Sequence, residues 1–301
     1  MRTSPHGPSR STTSTCDERP IGKQPDRLAE AVARMQRAAE VPEYPLDSSD
    51  RYATALRDIR VRLDTYASPL QAEEFVAAMR GYFLAELRKA GNSSRGVRPT
   101  LDEYAATRLS MGGGMVFPLL PAVVAGIAPA PVTTAMRRVR ALTEMAATLV
   151  CWDTDIFSYA KERARTGDGY NLLDVVQAEY GCTLDEAVTI AVAMRDRIMC
   201  LSLRLRRYFA VMAAPDLDRY CGTPAAYIRG VLGWCMNTPR YRYTNGVSGA
   251  ETFDSAGWAE SPSDDNPEPL SIPSIGWWWE YDPAPLHSPS TSGRAGADRR
   301  R

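Results

Sequence analysis

From Leu28 to about Phe209 the apolar residues recur at intervals of three and four, and no run of alternating β-branched residues with hairpin turns interrupts them. That is the rhythm of an α-helix with one face in a core, so the chain is restricted to packing helix on helix. Leu28, Ala31, Val32 and Met35 share one helical face; so do Leu56, Ile59, Leu63 and Tyr66, and again Phe75, Met79, Tyr82 and Leu87, with Gly91 as the expected stop. Thr183 with Glu186 forms a capping box ahead of a long helix that runs to about Phe209. Thr223-Pro224 reads as a cap followed by proline at the first helical position. No internal repeat is present. The expected fold class is all-α, a single bundle of eight to ten helices.

A chain of 301 residues, 44% apolar, can bury a sizeable core. Its 36 basic and 36 acidic residues balance, so nothing steers it toward nucleic acid or an anionic membrane, and neither partner is expected. The two histidines, His6 and His287, both sit in polar tails. This argues against Ser-His-Asp or Cys-His catalysis and against a His-ligated zinc. Any metal must then be held by oxygen, which points to a hard cation such as magnesium. None of the six cysteines forms a CxxC pair, and the opening MRTSPHGPSRSTTST has no apolar leader region. Reduced, mostly buried thiols in a cytoplasmic protein are expected. The stretch from Leu109 to Met136 carries no charge, but Gly112 to Gly114, Pro118, Pro121, Pro129 and Pro131 interrupt it. A membrane span needs ~20 largely uninterrupted apolar residues, so a buried, broken helix pair is expected instead.

Composition divides the chain into three parts: residues 1–25, expected to be disordered; 26–245, the helical domain; and 246–301, a Pro/Ser/Gly-rich tail expected to be partly disordered. Within that tail, IPSIGWWWEYDP (272–283) is too aromatic for free coil and is expected to dock back onto the core.

The chemistry-bearing segment is Cys151-Trp-Asp-Thr-Asp-Ile-Phe-Ser-Tyr-Ala-Lys-Glu162. Thr154, Ser158 and Glu162 are spaced so that they stack one turn apart on a helical face. Three such oxygens offer a grip for magnesium, with Asp153 and Asp155 beside them and Lys161 placed to meet a phosphate. From spacing alone, the commoner meaning is the exposed polar face of a surface helix.

Read as a motif, TDIFSYAKE resembles the second metal-binding motif of the class I terpene synthases. Asp155, Ser158, Lys161 and Glu162 match in register, and Thr154 stands where the family has Asn or Asp. Gly169-Tyr-Asn-Leu172 and GCTLDEA (181–187) are similar to the segments that follow. GVLGWCMNTPRYRY (230–243) resembles the family's terminal signature, with Trp234 and Thr238 in register. LDEYAATRLSMGGG (101–114) resembles its helix-break region, with Met111 at a linker position that is usually polar. Cys16-Asp17-Glu18 looks like the close of the first, aspartate-rich motif, whose opening aspartates would fall near Thr12-Thr13 in a Ser-Thr-Thr-Ser-Thr run. Prenyl-chain-elongating enzymes share the general fold but use two aspartate-rich motifs.

The resemblance implies a class I terpenoid synthase helical bundle missing its N-terminal helices. It implies Mg2+ as cofactor, held by Thr154, Ser158 and Glu162, and an isoprenyl diphosphate, farnesyl first, as substrate. It assigns diphosphate binding to Arg108, Lys161, Arg240 and Tyr241, and catalytic roles to Arg108, Gly112, Arg240 and Tyr241. A carbocation would cyclise in an apolar pocket beside rings such as Phe157 or Trp234. The alternatives are a catalytically impaired relative or fragment, or a helical binding protein reusing the fold. A homodimer is left open.

Overall fold

The computed structural model describes residues 20–283, apart from positions 44, 46–48, 132, 134–135, 166–168, 213, 242, 245–246 and 249–258. The Cys16-Asp17-Glu18 segment lies outside the described residues. The α-helices are α1 (Pro25–Glu40), α2 (Arg51–Leu63), α3 (Pro69–Arg95), α4 (Leu101–Arg108), α5 (Leu120–Val124), α6 (Arg137–Arg165), α7 (Leu172–Tyr180), α8 (Leu184–Ala210), α9 (Pro215–Asn237) and α10 (Pro273–Gly276). A two-residue ladder, Tyr243–Thr244 against Val247–Ser248, is the β-structure among the described residues.

Local sequence sets most helix starts. Ser68 with Gln71, Thr100 with Glu103 and Thr183 with Glu186 form reciprocal capping boxes that begin α3, α4 and α8, the last as the sequence predicts. Leu28, Val32, Leu56, Phe75, Met79 and Tyr82 from α1, α2 and α3 make one apolar core. A larger core gathers α4, α6, α7, α8, α9 and the turn around α10. Helix α6 runs through it, apolar on nearly every face from Ala141 to Trp152, as a central helix must be. Its second half, which carries the motif, is thereby held inside the bundle.

Several expected boundaries move. Helical structure begins inside the 1–25 segment: Pro20–Lys23 form a 3-10 turn, and Ile21 packs on the first core. Helix α3 does not stop at Gly91 but runs to Arg95, ending on Gly96 at φ 65°. An interior glycine costs about 1 kcal/mol against alanine. Burial of Ala90 and the bond from Asn92 Nδ2 to Tyr170 Oη, 3.0 Å, favour the continued helix. On α2, Leu56 is buried and Leu63 partly so, but Ile59 and Tyr66 are exposed. This helix packs chiefly on α1, so only a narrow stripe is covered, and Tyr66 lies past its end.

Thr223-Pro224 starts no helix. It lies inside α9. Proline has no N–H for the carbonyl four residues back, that of Tyr220. The Thr223 hydroxyl donates to that oxygen instead, at 2.8 Å, and the helix continues.

The uncharged stretch is broken, as expected, but it is not a buried helix pair by itself: its partner across the bend is the charged helix α4, and Phe117 and Val124 are exposed. Leu101–Arg108 and Met111–Val124 meet at a bend of 60°, and no single helix among the described residues is long and apolar enough to cross a membrane. The aromatic segment docks: Ile272, Ile275 and Trp278 are buried in the larger core, and Trp278 Nε1 donates to Glu144 Oε2 of α6 at 3.0 Å.

Candidate active site

Asp153 and Asp155, about 200° apart around α6, set its rotation. Asp153 turns to α8, where Arg195 Nε and Nη2 donate to its two oxygens at 2.9 and 3.2 Å. Burial pushes the Asp153 carboxyl up, and Arg195 opposes that. Asp155 turns to α4. Tyr104 Oη donates to its Oδ2, and Arg108 Nη2 donates to its Oδ1 at 2.7 Å. Burial, and then the Asp155 charge, push the Tyr104 phenol well up, so it stays a donor.

Arg108 lies almost wholly inside this corner. Its Nε reaches both Asp155 oxygens at 3.2 Å, its Nη1 donates to Met111 O at 2.8 Å, and its Nη2 also reaches Cys151 O and Thr154 Oγ1, each at 3.3 Å. Burial works against the charged guanidinium, but Asp155, Cys151 and Tyr104 together outweigh it and Arg108 stays protonated. These bonds use four of the five guanidinium protons and leave one on Nη1.

The backbone turns sharply beside that proton. Gly112 sits at φ 67°, and a Cβ there would stand 3.0 Å from Arg108 Nη1. Left-handed backbone and close approach both call for glycine. The Gly112 N–H donates to the buried Glu86 of α3 at 3.1 Å. The peptide joining Met111 to Gly112 is therefore held at its oxygen by Arg108 and at its N–H by Glu86.

On the next turns of α6, Ser158 Oγ donates to Glu162 Oε1 at 2.5 Å, and Asn171 Nδ2 donates to Glu162 Oε2 at 3.0 Å. Burial first, and then the like charge of Asp155, push the Glu162 carboxyl up; Asn171, Ser158 and Arg108 oppose them. Lys161 is also buried. Beyond α9, Tyr241 is buried with its ring edge-on to Trp234, centroids 5.4 Å apart, and Arg240 is half-buried, its N–H on Thr238 Oγ1 at 3.3 Å. Burial raises the Tyr241 phenol above its ordinary range, with Arg240, Glu162 and Arg108 all within electrostatic reach.

The donor set can be weighed against a divalent cation. Among the described residues no group of three or more His, Cys, Asp or Glu side chains is placed to hold a metal. Ser158 and Glu162 fit a hard cation: a hydroxyl and a carboxylate, both hard oxygen donors, one turn apart on α6 and already in contact. Thr154 fits less well. Its hydroxyl proton lies on Cys151 O at 2.8 Å, and its oxygen accepts from Arg108.

Comparison with known proteins bears on the same segment. A family profile described as terpene synthase family 2, C-terminal metal binding, matches residues 15–199. The chain belongs to the terpene synthase family. It is 38% identical over 271 residues to bonnadiene synthase of Allokutzneria albata, covering 86% of this chain and 72% of that one. It is 35% identical over 282 residues to a (+)-T-muurolol synthase of Streptomyces clavuligerus named as (2E,6E)-farnesyl diphosphate cyclizing, covering 92% of this chain and 66% of that one. The crystal structure of the SVS_A2 protein from ancestral sequence reconstruction superposes with a TM-score of 0.76 at 33% identity, over 88% of this chain and 74% of that one.

Within this terpene synthase bundle, the structure brings together some of the residues singled out by sequence: Arg108 meets Thr154 directly and lies beside Gly112, Ser158 meets Glu162, and Tyr241 packs by Trp234. Sequence reasoning missed Tyr104, Glu86 and Asn171. Glu86 carried a signal, because it continues the apolar stripe of Phe75, Met79 and Tyr82, where a carboxylate needs a buried partner. Asn171 carried another as the cap of α7, its Oδ1 accepting from Leu173 N.

Proposed function

We propose that this chain is a magnesium-dependent terpene synthase that ionises an isoprenyl diphosphate, releases diphosphate and cyclises the carbocation. Farnesyl diphosphate is the first substrate to consider, because a relative's name carries it. The supporting observation is that Arg108 of α4 reaches Thr154 on α6, the helix that also carries Ser158 and Glu162 one and two turns further on.

In this reading Ser158 and Glu162 hold the cation, with Thr154 as the third oxygen. When bound, magnesium supplies positive charge to the departing diphosphate. Arg108, Lys161, Arg240 and the Tyr241 hydroxyl bind the diphosphate oxygens. Arg108 brings its remaining Nη1 proton, held in place by Asp155 and the Met111 carbonyl. Gly112 lets the chain turn beside that proton. The apolar side chains around α6 and α9 keep water from the cation left behind.

A second reading, a family member impaired in metal loading, also has an observation behind it. Thr154 is committed to Cys151 O and Arg108, so Glu162 is the one carboxylate in the set. Calorimetric titration of inorganic diphosphate with and without magnesium separates the two. The proposal expects binding that needs magnesium and is lost in Glu162→Gln. Folded protein that ignores diphosphate in both conditions would overturn it and leave the impaired reading.

A further inference from the structure

The segment 259–283 follows the Arg240-Tyr241 signature and lies outside the residues matched by the family profile. It is bound along its length to three helices that build the site. On α8, Asp196 Oδ2 accepts from Ser263 N and Oγ at 2.8 and 2.9 Å, Arg197 donates to the carbonyls of Glu268 and Pro269, and Arg204 forms a forked pair with Asp282, its shorter arm 2.6 Å. On α6, Glu144 accepts from the Trp278 indole, and Arg137 lies 3.9 Å over the Trp277 ring. On α4, Asp102 Oδ1 accepts from Ser274 N at 2.7 Å, and Asp102 O accepts from Ser274 Oγ at 3.3 Å.

The α4 contact carries the argument. Helix α4 has eight residues, Leu101–Arg108, and ends on the arginine that meets α6. Tyr104 and Arg108, one turn apart, reach Asp155 on one side. Asp102, near the other end, is held by the segment. A helix this short has little stability of its own, so its position is set by what grips its two ends. One grip is the Asp155 cluster; at the other end Ser274 holds Asp102, beside Glu179 of α7, which accepts from Leu101 N at 3.2 Å, and Arg88 of α3, 3.3 Å from Glu103.

We infer that residues 259–283 form a brace that fixes α4 against α6, with Asp102 and Ser274 as the positioning pair that holds Arg108 in place to bind diphosphate. This rests on the reading of Arg108 as a diphosphate-binding group. The brace joins the helix of Arg108 to the helix of the metal motif through Trp278 and Glu144. It reaches that motif a second time through Asp196, Arg195 and Asp153.

The test uses the full chain as wild type, Asp102→Ala and Asp102→Asn. Asparagine keeps an oxygen to accept from Ser274 N, and alanine does not. Amide hydrogen exchange across 101–108 reads the grip on α4. Titration with inorganic diphosphate and magnesium reads the effect on Arg108. Asp102→Ala is expected to speed exchange in α4 and weaken diphosphate affinity roughly tenfold, the size of one partly lost charged contact; Asp102→Asn is expected to restore both. Should alanine variants fold poorly, Arg204→Asp and Asp282→Arg serve instead, each loosening the segment alone and the pair together restoring it. Unchanged exchange and affinity in Asp102→Ala, or a loss that Asp102→Asn shares, overturns the inference. Wild type that binds no diphosphate sinks the reading of the site, and α4 exchange still decides the brace.

Discussion

Arg108 concentrates the energetics at the scale of single residues. Its partner Asp155 is buried, and removing one member of such a pair leaves the other uncompensated. Arg108→Met should lower stability by roughly 3–5 kcal/mol in urea unfolding; a loss under about 1 kcal/mol would show that the pair carries no net weight. Gly112→Ala should cost roughly 1–2 kcal/mol for the left-handed backbone. It should also weaken diphosphate binding, since the added methyl meets Arg108 Nη1 at 3.0 Å. A variant with native stability and native affinity would remove the glycine from the site. Ser158 and Glu162 were legible in the sequence because their relation is internal to one helix. Arg108 came into view through resemblance alone. Its bonds to Asp155, 47 positions away, depend on how α4 crosses α6, which no spacing encodes. The bond from Arg108 to Thr154 was invisible for the same reason, whereas the donation of Thr154 to Cys151 O is local to the helix.

At the scale of helices, a capping pair is readable because both partners lie within one turn. The Thr183–Glu186 box marked the start of α8 correctly. Gly91 and Pro224 misled for different reasons: a tertiary bond, Asn92 to Tyr170, holds the helix beyond the glycine, and a local one, Thr223 to Tyr220, carries it past the proline. Two substitutions check this. Gly91→Ala places a methyl where no atom lies within 4 Å and should stabilise α3 by about 0.5–1 kcal/mol. A destabilised variant would mean that the helix does not continue through 91. Thr223→Val strips the Tyr220 carbonyl of its donor and should cost about 1–3 kcal/mol. In a Pro224→Ala background the restored N–H takes over, and the same change should cost much less. Equal costs in the two backgrounds would contradict the role given to the Thr223 hydroxyl.

Across the whole molecule the apolar residues form two cores, and α6, which carries the motif, runs through the larger. The all-α class was legible because period alone decides it. The return of the chain at 259–283 was visible only as excess aromatic content, since its anchors on α4, α6 and α8 are distant in sequence. The same packing shields the thiols. Burial pushes Cys221 and Cys235 up to about 12, so neither is a thiolate at pH 8. Because these values are raised, the stability contributed by the neutral thiols is full below the ordinary thiol range and falls away as pH climbs toward about 12. A thiol reagent at pH 8 should label half-buried Cys182 well before Cys221 or Cys235; peptide mapping that finds equal rates would show the bundle open there. The central claim is that this bundle turns over an isoprenyl diphosphate. The most direct measurement incubates the purified chain and its Glu162→Gln variant with magnesium and geranyl, farnesyl or geranylgeranyl diphosphate, reading released diphosphate and volatile hydrocarbons. Magnesium-dependent hydrocarbon from wild type that vanishes in Glu162→Gln is the expected result. No product from folded wild type with any of the three, or product that survives Glu162→Gln unchanged, would contradict it.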